Sequence, residues 1–172
     1  MAKRVSLREF QENLASRLKA AAGEPASSAR LSFEAEGTLW LLRLENSGEL
    51  LPVPQIDRVP LTRTWFLGVA NVRGVLFGVT DFSAFISGAP TRRGNNNRLL
   101  LVGQPHGINA ALLVTRLTGL HNLAEFEPLE DQGGCGEQWG ERAWRDRDGR
   151  IWRELDTAKL LAHRDFLDVA AP

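Results

Sequence analysis

The side chains that could do chemistry in this chain are few and dispersed. His106, His121 and His163 are the only histidines, and Cys135 is the only cysteine. A Cys–His nucleophile pair assembles in space and not in sequence. Cys135, however, lies in a glycine-rich stretch beside Glu137, where an incidental exposed thiol is the plainer reading. Glu49 and Asp81 are the carboxylates nearest the most patterned part of the chain. A paired-carboxylate hydrolase needs two such groups within a few ångströms, but no sugar-binding cluster surrounds them. Asp146-Arg147-Asp148-Gly149 starts like a calcium loop. The later oxygen ligands and closing glutamate of such a loop are missing. Arg150-Ile151-Trp152 fills that stretch with strand residues, so a hairpin turn is expected instead. Neither GxGxxG nor GxxxxGK[ST] occurs, which removes the usual phosphate cradles. The expectation is a protein without catalysis, cofactor or metal.

The most informative run is Val59 to Phe85, VPLTRTWFLGVANVRGVLFGVTDFSAF. Asn71-Val72-Arg73-Gly74 sets a polar pair, a cation and a glycine between two apolar segments. This reads as a strand–turn–strand that holds one guanidinium on a stiff β framework. Arginine is enriched where protein interfaces concentrate their binding energy. The run therefore looks like a surface for a protein partner and not a pocket for a substrate.

The elements that must hold that corner follow from periodicity. Ser6-Leu7-Arg8-Glu9 is a capping box, and Leu7, Phe10, Leu14 and Leu18 follow at helical spacing up to Gly23 and Pro25. This predicts a helix over about 6–22 whose narrow apolar stripe either docks on the body, the favoured reading, or meets a partner. The texture then changes to short strands. Leu31–Ala35 alternates, Glu36-Gly37 turns, and Thr38–Leu44 pairs back. Asn46-Ser47-Gly48 is read as a turn. Glu49–Pro54 is extended and confined by its prolines to a sheet edge. Thr64–Val72 is read as starting with a helical turn, Gly74 as a corner, and Val75–Thr80 as a buried strand anchored by Phe82 and Phe85. The polar loop Thr91–Arg98 is taken as the break between two halves. Leu99–Val102, Asn109–Val114 and Thr115–Asn122 are further strands. Glu125–Gln138 reads as an acidic loop. A hairpin is expected over Asp148-Gly149, with Asp156 capping a last helix over about 157–167. One domain is thus expected, with a first barrel over about 29–90 and a second over about 98–156. Many short strands without βαβ alternation make the fold mainly β, with small barrels.

Composition narrows the function classes. Lys+Arg 21 against Asp+Glu 21 leaves no global field toward nucleic acid or anionic lipid. A single cysteine forms no internal disulfide and fits a reducing compartment. No apolar stretch approaches the ~20 residues of a membrane helix, and no secretory h-region opens the chain. A cytoplasmic protein is expected. Five tryptophans could stack on bases, so a β-barrel that binds single-stranded nucleic acid is the alternative. Its cations form one cluster at Arg92, Arg93 and Arg98. A second, Arg142 to Arg153, is interleaved with Glu141, Asp146, Asp148 and Glu154.

Val59-Pro60, then Phe66-x-Gly68-Val69-x-Asn71-x-Arg73-Gly74, then Val79-x-Asp81-Phe82, resembles the hallmark segment of CheW-like domains. The wording of residues 65–74, with Asp81–Phe85 and the Leu7–Gln11 helix, is similar to the PilI-type branch, which serves the type IV pilus (twitching motility) chemosensory system. The resemblance implies two small SH3-like five-stranded β-barrels with short N- and C-terminal helices. It also implies a non-catalytic adaptor that bridges a methyl-accepting chemoreceptor tip to the regulatory domain of a CheA-type histidine kinase, recruited from the cytoplasm to receptor arrays. Carried over by position, Arg73, Asn71 and Gly74 fall on the contact segment, with Val69 and Leu76 as apolar neighbours. Glu49 matches the acidic position on the preceding strand. Pro52 and Pro54 depart from the family pattern just after it.

Overall fold

The computed structural model describes residues 28–103, 107–129 and 139–171. The expected helix over 6–22, Cys135 and His106 lie outside them. β1 (Ala29–Ala35) and β2 (Thr38–Arg43) form the expected hairpin. Its two loop residues both have positive φ, Glu36 at 52° and Gly37 at 70°. That geometry matches the right-handed twist of the strands on either side. β3 (Ser47–Pro52) follows a 3-10 turn at Leu44–Asn46, so the turn falls two residues earlier than expected and Ser47 and Gly48 already belong to the strand. β4 (Phe66–Val72) and β5 (Val75–Asp81) flank Arg73-Gly74. A hydrogen-bonded turn does open at Thr64-Trp65, where the Phe66 amide donates to the Arg63 carbonyl at 3.0 Å, and β4 is extended from Phe66 because it pairs with β5. α1 (Phe82–Ser87) is capped by Asp81, whose carboxylate accepts from the Ala84 amide.

β6 (Arg98–Val102), β7 (Ala110–Val114) and β8 (Arg116–Asn122) come next. β9 (Glu127–Leu129) is a short strand within the segment expected to be loop, held there by pairing with β10 (Gly140–Arg145). β10 and β11 (Ile151–Leu155) form the hairpin over Asp148-Gly149. Asp156 caps α2 (Thr157–Ala162) by accepting from the Lys159 amide at 3.0 Å. The expected last helix breaks at His163, whose extended backbone ends α2 and starts α3 (Arg164–Leu167).

The strands make a six-stranded sheet, β8-β1-β2-β11-β10-β9, and a five-stranded sheet, β3-β6-β7-β5-β4. The expected division into 29–90 and 98–156 does not describe these sheets. The five-stranded sheet lies within the chain, and the other is built from strands on both sides of it. Two parallel pairings, β2 with β11 and β5 with β7, make the interleaving possible. Parallel partners are joined by long connections, so sequence proximity does not reveal them.

Burial explains the apolar runs. Trp40 and Leu42 enter a core with Phe33, Phe82, Leu100, Leu112 and Leu160, which joins the two sheets. Leu41, between them in β2, faces the other way into a cluster with Phe126, Trp144 and Trp152. In β6, Leu100 and Val102 join the shared core, while Leu99 and Leu101 pack with Ala70, Val72, Phe77, Val79 and Ala111. Strands covered on both faces read as continuous apolar runs and not as alternation.

Candidate partner interface

The Arg73 corner is a two-residue hairpin turn. Val72 pairs with Val75, and the loop residues Arg73 and Gly74 have φ of 53° and 86°. Two positive φ values in sequence define the turn type that suits a twisted hairpin. Nothing lies within 4 Å of where a Gly74 Cβ would stand, so the glycine serves the backbone and leaves open space beside the turn. The Gly74 amide donates to Asn71 Oδ1 at 2.8 Å, which locks the corner from its own strand.

Alternation along the two strands sorts their side chains. Ala70 and Val72 point into the sheet's core, as do Phe77 and Val79. Val69, Asn71 and Leu76 stand on the other face, with Asn71 directly opposite Leu76. Leu76 is 60% exposed and Val75 44%, so the strand expected to be buried is buried only from Phe77 on. Arg73 Nη2 donates to Glu49 Oε1 at 2.5 Å, with Arg73 78% and Glu49 35% exposed. This bond joins the tip next to edge strand β4 with the opposite edge strand, β3. The structure therefore gathers Arg73, Asn71, Gly74, Val69, Leu76 and Glu49 on one knuckle. Pro52 ends β3 opposite Arg98 and Leu50–Pro52 pair in register, but the register shifts between Ser47 and Leu50, the stretch that holds Glu49. An exposed pair of this kind is worth roughly 0–1 kcal/mol. It aims the guanidinium without fixing it.

The framework under the knuckle has a contact that sequence reasoning missed. Asp57 and Val69 exchange backbone hydrogen bonds of 2.8 and 2.9 Å, so the chain after β3 covers edge strand β4. Gly68 permits this. Its φ is 127°, and a Cβ there would run into the Asp57 carbonyl and come within 2.9 Å of Arg58 Cα. A glycine between Leu67 and Val69 in an apolar run was the available signal.

The remaining candidates have structural partners. Asp81 is buried and accepts from the Ala84 and Thr91 amides and the Thr91 hydroxyl, so it is committed to capping. Its bonds are separate from those of Glu49, and the two carboxylates do not act as a pair. His121 packs against Phe126 and Trp152, and His163 against Trp139. Asp146 accepts from the Asp148 and Arg150 amides, the Arg150 guanidinium and the Trp152 indole. Its carboxylate is turned inward on its own hairpin. Burial pushes its pKa up, but the bonds from Trp152 and Arg150, with the charge of Arg150, outweigh this and hold it below the usual range. A cavity of about 170 Å³ lies beside this turn, lined by His121, Glu125, Phe126 and residues 146–148 and 150. Among the described residues, no three His, Cys, Asp or Glu side chains group as a metal ion would need.

Sequence also gave no sign of two further features. Glu154 is buried, accepting from Arg30 at 2.8 Å and from the Trp144 indole at 3.0 Å, which ties β11 to β1 and β10. Leu61 has a φ of 58° and is 87% exposed, held by the Ala171 amide on its carbonyl.

A family model for the CheW-like domain matches residues 30–165. The chain belongs to the CheW-like family. It is 30% identical over 164 residues to "Protein PilI" of Pseudomonas aeruginosa, which covers 87% of this chain and 88% of the relative. The scaffolding protein TtCheW from Thermoanaerobacter tengcongensis superposes with a TM-score of 0.63 at 18% identity, over 75% of this chain and 88% of that one. At that identity the likeness concerns the fold. It agrees with the mainly β fold in two parts implied by the hallmark segment, although one of the two sheets has six strands where five were expected. Among the described residues, no helix is long and apolar enough to cross a membrane.

Proposed function

We propose that this CheW-like chain is a non-catalytic adaptor that couples a methyl-accepting chemoreceptor to a CheA-type histidine kinase, in a pilus (twitching motility) signalling system. The observation that carries the reading is the knuckle: an exposed guanidinium on a rigid two-residue turn, flanked by exposed Val75 and Leu76. A preformed turn loses little conformational freedom on docking. Gly74 lets a partner backbone come close, and the weak Arg73–Glu49 pair yields its guanidinium at small cost. An apolar centre with one arginine suits a modest, reversible interface. The likeness to PilI over most of both chains supports the pilus branch.

The nucleic-acid alternative loses its physical basis. Trp40, Trp144 and Trp152 are buried at 0, 7 and 2% exposure and offer no face for a base to stack on. Trp65 and Trp139 are half-buried among Phe85, Phe166 and His163.

The test is direct binding of the full chain to a purified cognate kinase regulatory domain and to a receptor cytoplasmic fragment. Both are expected to bind, and Arg73→Ala is expected to weaken at least one complex by about 1–2 kcal/mol. The fold should be unaffected, since the lost ion pair is exposed. Absence of any complex at high micromolar concentration overturns the adaptor reading. Unchanged affinity of Arg73→Ala for both partners removes Arg73 from the contact.

A further inference from the structure

The loop Thr91–Arg98 carries a cationic feature that the knuckle does not use. Its ends are clamped. Buried Thr91 donates from its amide to Asp81 Oδ2 at 2.9 Å and from its hydroxyl to Asp81 Oδ1 at 2.6 Å. Buried Asn97 donates through Nδ2 to the Thr115 carbonyl at 3.0 Å and accepts from the Gly94 amide at 2.6 Å. Arg98 turns back onto the loop, donating to the carbonyls of Asn95 and Asn97. The polar groups that could satisfy an incoming ligand are thus spent on ordering the loop. The exposed side chains of Asn95 and Asn96 stay free of it, and so do the loop's two cations. Arg92 and Arg93 are both exposed, and neither makes a side-chain hydrogen bond or ion pair among the described residues.

The sequence leaves them uncompensated too. Between Asp81 and Glu125 there is no aspartate or glutamate, whereas Arg92, Arg93, Arg98 and Arg116 all fall in that interval. Arg116 is neutralised by Glu34 at 2.7 Å. The nearest carboxylate in sequence, Asp81, is buried beneath the loop and already saturated by it.

We propose that this loop is a second docking surface, on which Arg92 and Arg93 grip a carboxylate-rich segment of a partner protein. Its position gives it a role distinct from the knuckle. Thr91 is clamped at Asp81, the last residue of β5, while Arg73-Gly74 precedes Val75, the first. Seven strand residues separate them, roughly 20 Å at the rise of a β-strand. Two partners can therefore be held at once, as an adaptor requires. Only the identity of the partner rests on the adaptor reading; the surface itself stands on the clamped loop and its unpaired cations. Magnitude selects protein carboxylates over the competing anions. A lipid patch uses clusters of about 4–8 basic residues at about 1 kcal/mol each, and nucleic-acid binders that neutralise a backbone use about 6–10 phosphate contacts. Two adjacent guanidiniums match a pair of carboxylates, each taken bidentately.

The experiment uses the full chain as wild type, as Arg92→Ser/Arg93→Ser and as Arg73→Ala, with circular dichroism to confirm the fold of each. An octaglutamate peptide is the direct probe. Wild type and Arg73→Ala are expected to bind it equally, and the double variant about tenfold more weakly, with the difference shrinking as salt is raised. Equal peptide affinity for wild type and the double variant overturns the proposal. So does stronger retention of phosphatidylserine vesicles or of a single-stranded oligothymidylate than of the peptide, lost in the double variant. In a second arm, the kinase regulatory domain and the receptor fragment replace the peptide. The double variant is expected to lose about tenfold toward one of them. If neither binds wild type, the adaptor reading falls and the peptide still decides the loop. If both bind wild type and the double variant alike, the loop proposal falls and the adaptor reading stands.

Discussion

Single residues in this chain show how a charged side chain is assigned either to structure or to surface. Asp146 and Arg73 both sit at hairpin turns. The Asp146 carboxylate accepts four hydrogen bonds from its own hairpin, and Arg73 makes one bond to a half-exposed partner. The first is committed to folding and the second is left available. Because the native pKa of Asp146 lies below its ordinary value, the unfolded chain binds a proton there more readily than the folded one. Its stabilisation is present above the ordinary carboxylate pKa and is lost as pH falls through the lower native value. Asp146→Asn is therefore expected to be less stable than wild type at pH 7, with the gap closing below about pH 4. Urea unfolding of both proteins at pH 7, 5 and 3.5 checks this. A gap that stays constant to pH 3.5 would show that the charge contributes nothing. Leu61 is the converse case, an apolar side chain in water on a left-handed backbone. That conformation costs an L-residue roughly 1–2 kcal/mol. Leu61→Gly is expected to stabilise the protein by about 1 kcal/mol, measured as a raised midpoint of unfolding. Unchanged or lowered stability would mean that the side chain is held by contacts that repay the strain.

Whether an element can be read from sequence depended on whether its cause was local. The Asp148-Gly149 hairpin, the Glu36-Gly37 turn and the Asp156 cap each follow from a few neighbouring residues, and all three form as expected. The knuckle was legible for the same reason, since Asn71, Arg73 and Gly74 make their turn among themselves. The strand pairing of β4 with β5 was legible, but the Asp57 bridge on its outer side was not, because it depends on a segment distant in sequence. β9 was missed because three residues hold no periodicity without β10. Gly68 links the two kinds of case. It is legible as a glycine, but its reason is the Asp57 backbone, which returns from eleven residues earlier. Gly68→Ala is expected to cost at least about 2 kcal/mol, because backbone atoms of Asp57 and Arg58 would have to move. Gly74→Ala meets nothing within 4 Å and should cost only the left-handed strain, roughly 1–2 kcal/mol. Thermal unfolding of the two variants separates steric closure from turn geometry. Similar losses for both would show that Asp57 does not press on β4.

At the scale of the whole molecule, the interleaved sheets decide what can fold. Each sheet has its own apolar cluster, but Phe33, Trp40 and Leu42 from one and Leu100 and Leu112 from the other share the largest core. The buried Arg30–Glu154 pair reaches across β2 and ties β1 to β11 within the six-stranded sheet. Arg43 lies 3.6 Å from the same Glu154 oxygen, so the pair belongs to a small charge cluster. Two barrels each closed within its own half of the chain, on either side of Thr91–Arg98, would let each half fold alone. The observed topology predicts the reverse. A fragment ending at Gly94 lacks β6 and β7 of the five-stranded sheet and β8 to β11 of the other. Its complement lacks β1 to β5. Neither fragment can bury the shared core, so both are expected to be unfolded alone by circular dichroism and to regain structure when mixed in equal amounts. The break falls in an exposed loop between clamped ends, where a cut chain loses few contacts directly. A fragment that folds cooperatively by itself would show that one sheet is an independent unit, and that the Arg73 turn and the Thr91–Arg98 loop can move apart and need not lie at fixed ends of one rigid strand.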